Sequence, residues 1–256
     1  MSEIAQADNI IPKISADAKP FPRLLPSVGW IVLYFVLQLV VTAIVIAVAI
    51  AAQHIGESTA AIDPDIGAKN PMLIIWGLVV SAAVQLGLMW FYLRKGDRAE
   101  VLGLTHFGKI SIGKTSMIAV GALLLASTLN YVYATYVISG MPMQDEMAKL
   151  LASIPRTPIN IAVGLLAITV VAPLIEELLF RGLLQNALMH HVPAWAAIAL
   201  SALLFSVVHL QLYAMPALMA LGAAFGFIYY KTGSLRMTIV LHMINNMLAL
   251  VLTQAV

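Results

Sequence analysis

Cysteine is absent from this chain, which excludes disulfides, zinc–thiolate sites and thiol nucleophiles. Charge is nearly as scarce. Asp, Glu, Lys and Arg make up 10% of the residues, against about 25% in a soluble globular domain. A surface that poor in charge is not built to face water. The net charge of +2 is small, and the basic residues lie in loops, so no nucleic-acid-binding face is expected. What fills the chain instead is apolar: 61% of residues are hydrophobic. The expectation is an all-α, polytopic helical bundle embedded in the lipid bilayer, because helices satisfy their own backbone groups there. The length of 256 residues leaves room for about seven spans of ~20 residues.

Residues 1–26 read as a polar, proline-containing cytoplasmic tail. No cleavable signal peptide is expected, since the first apolar run, Val28–Ala52, exceeds an h-region. Trp30 and Tyr34 in it read as interfacial aromatics. A second span is expected over Met72–Leu93, closing on Trp90 and Tyr92 where an aromatic belt belongs. The loop between these two carries Glu57, Asp63 and Asp65. The third span is expected over Gly113–Ile138, followed by an amphipathic piece with Asp145, Glu146 and Lys149. Residues 27–158 thus form a three-span membrane region.

The segment from 159 to 256 is denser. A long helical run, Ile159–His190, is followed by spans near Ala194–Leu212, Met215–Tyr230 and Met237–Thr253. Gly222 and Gly226, four apart, predict close helix packing. No internal repeat is visible. Basic residues gather before the first span, between the second and third, and at Lys231 and Arg236. Seven spans would put all three groups on one side, so the N-terminus is expected in the cytoplasm.

The charged run Glu176-Glu177-x-x-x-Arg181 lies inside this apolar sequence. A charge at a span centre costs roughly 2.5–3.5 kcal/mol on insertion scales, so three together need partners, water or a task. Glu177 and Arg181 are four apart on one face, with the acid N-terminal, and are expected to pair. Glu176 points about 100° away and has no cation on its own helix. An unpaired carboxylate is the better candidate for acid–base chemistry. His209 falls one turn after Phe205 near the end of its span. His242 and Asn246 share a face of the last one, and so do His242 and Asn245. A carboxylate and an imidazole can polarise a water, while His and Asn donors can hold an oxyanion. A divalent metal such as zinc, held by Glu176, His209 and His242, is chemically compatible with the same set. His54, His106, His190 and His191 fall in loops or at interfaces and receive no role.

In that order the three motifs, Glu-Glu-x-x-x-Arg at 176–181, Phe-x-x-x-His at 205–209 and His-x-x-x-Asn at 242–246, resemble the CPBP intramembrane proteases. That family includes the CAAX prenyl endopeptidases and bacterial Abi or bacteriocin-immunity proteins. The resemblance covers about 159–254. It implies an endopeptidase acting on a membrane-associated protein or peptide. Glu176 and His209 would activate the attacking water, His242 and Asn246 would line the oxyanion site, and Glu177, Arg181 and Phe205 would support them. No His-Glu-x-x-His motif occurs, and a metal-free glutamate mechanism is favoured. The alternatives are a non-catalytic interaction or immunity protein, in which the charges are structural, and a proton-coupled carrier.

A straight fourth span starting at Ile159 would carry Glu176 roughly 25 Å along its axis, away from His209. A kink or reorientation between Ala167 and Pro173 is therefore expected.

Overall fold

The computed structural model of the chain describes residues 21–53, 70–107, 112–138, 153 and 155–254. The acidic loop with Glu57, Asp63 and Asp65 and the amphipathic piece at 145–149 lie outside them. The described residues are helical, with no strand among them: α1 (Leu24–Gln53), α2 (Pro71–Leu93), the short α3 (Arg98–Val101), α4 (Ile112–Tyr136), α5 (Pro158–Met189), α6 (Ala194–Val208), α7 (Met215–Thr232) and α8 (Leu235–Gln254).

Four of these, α1, α2, most of α4, and α5, are long and apolar enough to cross a bilayer, while α6 and α8 are shorter apolar helices. The expected count of about seven spans is not confirmed among the described residues: α6, for one, has 15 residues, about 22 Å at 1.5 Å per residue. With its outward apolar faces this is an integral, multi-pass membrane protein. On α1, Val32, Leu39, Ile44 and Val48 are exposed, as side chains meant for lipid would be.

The helix ends follow local chemistry. Pro71 opens α2 and Pro216 sits in the first turn of α7, where the missing N–H costs nothing. Gly233 closes α7 at φ 64°, donating its N–H to Tyr229 O at 2.8 Å; a residue with a Cβ is strained there.

α5 is the hub, packing against α1, α2, α6, α7 and α8, while α4 lies along α7. It is one continuous helical run rather than an interfacial piece joined to a separate span. Within it, Ala167–Val171 and Glu177–Gln185 adopt π-helical turns. The first falls in the interval where the sequence calls for a reorientation. A π turn inserts an extra residue per hydrogen-bonded ring and so re-aims the side chains that follow.

Gly222 and Gly226 let α7 close on its neighbours. A Cβ at Gly222 would stand 3.2 Å from the Ala202 backbone on α6. Their carbonyls are used as well: Arg181 Nη2 donates to Gly222 O at 3.1 Å and Gln185 Nε2 to Gly226 O at 2.9 Å. Two α5 donors four apart thus meet two α7 carbonyls four apart.

Candidate active site

The second π segment begins with the charged motif. Glu177 and Arg181 are fully buried, and Arg181 Nη1 donates to Glu177 Oε1 at 2.7 Å. The guanidinium lies 4.6 Å from the Phe205 ring centre and 5.6 Å from that of Phe225. Two aromatic faces, one carboxylate and the Gly222 carbonyl therefore surround it. Such a buried pair offsets its own desolvation only when its remaining donors and acceptors are also met.

His242 of α8 extends the pair. Its Nδ1 is 2.9 Å from Glu177 Oε1, and its Nε2 is 3.6 Å from Glu176 Oε2. A carboxylate already bonded to Arg181 accepts from the imidazole, so Nδ1 carries a proton and Nε2 is turned toward Glu176. Glu176 lacks a cation on its own helix, as the spacing requires, but the fold supplies an imidazole from another. The two glutamates are linked through one histidine, an arrangement in which Glu177 orients the ring.

Glu176, His209 and Asn246 line one cavity of ≈390 Å³. Its floor is the first π segment and its walls come from α1, α2 and the end of α6. His209 is the residue at which α6 stops, and its Nδ1 is held by Phe205 O at 2.6 Å. That contact leaves Nε2 as the ring nitrogen available for other partners. The Phe205 ring stacks edge-on against His209 at 4.7 Å, so one side chain braces both Arg181 and His209. Leu210, immediately after, takes the left-handed conformation at φ 53°, turning the chain sharply beside the imidazole.

Sequence spacing leaves Asn245 and Asn246 as alternatives, whereas the structure puts Asn246 in the cavity wall. Its Nδ2 donates to Ile168 O at 3.1 Å, and Asn245 Nδ2 lies 3.3 Å from its Oδ1. Three further polar residues to which the sequence assigns no site role line the same cavity: Tyr34, Gln38 and Gln211. Tyr34 reads as an interfacial aromatic, yet it is 8% exposed and shares the cavity wall with Gln38, one turn on. The available signal was a polar pair at four-residue spacing within an apolar helix.

Among the described residues, no three His, Cys, Asp or Glu side chains converge as a metal-holding group. Nδ1 of His242 and Nδ1 of His209 are both engaged, which leaves each Nε2 as the nitrogen open to a further partner. The trio Glu176, His209 and His242 is not drawn together as a metal-holding group in this arrangement, and no step is derived through a metal.

This geometry defines a membrane-embedded helical protein with a polar, carboxylate- and imidazole-lined cavity at its centre. Residues 158–248 match the family model described as type II CAAX prenyl endopeptidase Rce1-like, a match that covers the same region as the three motifs and agrees with the family they resemble. The chain is also 26% identical over 141 residues to the "Putative membrane peptidase YdiL" of Bacillus subtilis (strain 168), covering 54% of this chain and 56% of that protein. The chain thus spans about half the length of the curated relative it matches. No solved structure matches it significantly.

Proposed function

We propose that the chain is an intramembrane endopeptidase, CAAX-protease-like, that hydrolyses a peptide bond of a membrane-associated protein or peptide. The observation carrying this reading is the shared cavity: Glu176, His209 and Asn246, from three separate helical segments, line one space beside His242. Glu176, with His209, takes a proton from water as the oxygen attacks the scissile carbonyl carbon. The developing oxyanion accepts hydrogen bonds from Asn246 and from the Nε2–H of a His242 imidazolium whose Nδ1–H stays on Glu177. The proton then passes to the leaving nitrogen as the C–N bond breaks. Glu177, held by Arg181, keeps the His242 ring oriented, and Phe205 braces His209. The N-terminus lies in the cytoplasm, as the distribution of Lys and Arg indicates.

Glu176→Gln, His209→Ala and Asn246→Ala are each expected to abolish cleavage while the protein still inserts into the membrane. The readout is the membrane peptidome of cells carrying each variant beside wild type. Cellular function that survives all three substitutions would instead favour a non-catalytic interaction or immunity protein. Activity that vanishes on exhaustive chelation and returns with a divalent ion would overturn the metal-free form of the mechanism.

A further inference from the structure

A second polar cavity, ≈540 Å³, lies away from the glutamates. It is lined by Phe21, Arg23, Tyr92, Lys95, Asp97 and Arg98, among others. Three cations thus face one carboxylate. No ion pair joins Arg23, Lys95 or Arg98 to a carboxylate among the described residues. Arg98 is fixed in place: its guanidinium sits 4.5 Å from the Tyr92 ring centre and 5.0 Å from that of Phe21, and Nη1 donates to Tyr92 O at 2.9 Å. A cation held rigidly by aromatic faces and left without a carboxylate is arranged to meet an anion from outside the chain.

The position identifies the anion. The cavity lies where α1 begins and α2 ends, with Trp30 and Tyr92 in contact at 5.2 Å. Aromatic side chains of this kind mark the level of lipid headgroups. The dipoles of the α1 N-terminus and the α2 C-terminus oppose one another there, so the side-chain cations set the sign. On α2, Leu88, one turn before Tyr92 on the same face, is exposed, an apolar surface along which an acyl chain can lie. A free phosphate would have no use for it. Basic pockets between spans at this level suit the headgroups of anionic lipids.

We propose that this pocket binds the phosphate headgroup of an anionic phospholipid, with Arg98 as the fixed contact and Arg23 and Lys95 closing on it. The site is independent of the peptidase reading and binds lipid whether or not the chain cleaves peptides.

The test is native mass spectrometry of the full chain, purified in neutral detergent and titrated with phosphatidylglycerol, phosphatidylcholine or inorganic phosphate. Wild type is expected to retain phosphatidylglycerol over phosphatidylcholine. Arg23→Gln with Lys95→Gln, two exposed side chains outside the packed core, should weaken that retention by about fivefold per charge removed. Arg98→Gln should add to the loss. Arg94→Gln is the control: it removes a cation at the same membrane level that does not line the cavity, and should change retention by less than twofold. Equal losses in Arg94→Gln and the pocket variants would overturn the proposal in favour of diffuse surface charge. Phosphatidylglycerol displaced by millimolar inorganic phosphate would overturn the lipid assignment, as would equal retention of phosphatidylcholine.

Discussion

The carboxamide nitrogen of Asn246 donates to the carbonyl of Ile168 at 3.1 Å, across 78 residues of sequence. The backbone of α5 explains why that carbonyl is available. In the first π segment Ala172 N–H bonds to Ala167 O, five residues back. The next bond in that register would run from residue 173 to Ile168, and residue 173 is proline, which has no N–H. Asn246 supplies the donor that Pro173 cannot. The same bond ties α8 to the floor of the cavity and fixes the carboxamide in its wall.

Asn246→Ala should therefore destabilise the fold by about 0.5–1.5 kcal/mol, the net contribution of a hydrogen bond to a half-buried acceptor. Pro173→Ala returns an N–H to α5, so Asn246→Ala should cost clearly less in that background. A double-mutant cycle of thermal unfolding in detergent measures the coupling. Additive effects of the two substitutions would contradict the account.

Arg181→Met strands Glu177 in the interior with His242 as its remaining bonded partner. A loss of about 3–5 kcal/mol is expected, as when one member of a buried pair is removed. Glu177→Leu combined with Arg181→Met should be milder than Arg181→Met alone, because no charge is then left unpaired. Denaturant unfolding of the three proteins decides it.

A Cβ at Gly226 would stand 2.5 Å from Gln185 Oε1, pushing the amide off the Gly226 carbonyl. Gly226→Ala should cost about 1–3 kcal/mol, the usual range for overpacking. Most of that cost should disappear when Gln185 is first shortened to Ala. Persistence of the full effect in the Gln185→Ala background would place the clash elsewhere, with Ile198 the next nearest neighbour.

Leu210 holds φ 53° with 82% of its surface exposed. A left-handed conformation costs a residue with a Cβ roughly 1–2 kcal/mol, and little burial is lost on trimming an exposed side chain. Leu210→Gly is expected to raise the melting temperature slightly. A lowered melting temperature would mean that Leu210 makes contacts in the membrane that outweigh the strain.

Much was legible in the sequence because it depends on composition and local spacing. The scarcity of charge sets the solvent. The four-residue interval between Glu177 and Arg181 survives the π turn and still brings acid and base together. The order of three motifs is enough to point to a family whose model matches 158–248. Spacing along one helix cannot report a partner from another, and that is where the sequence stops. Glu176 looks solitary on α5, yet His242 Nε2 stands 3.6 Å away. The choice of Asn246 over Asn245 also needs α8 placed against α5. So does the entry of Tyr34 and Gln38 into the cavity, because an apolar face turned to lipid and one turned to a neighbouring helix have the same composition. The sequence by itself determined the solvent, the helices and the chemical character of the candidate groups. Only the tertiary structure decided which groups meet, since those contacts are long-range and arise from how α1, α5, α6 and α8 pack.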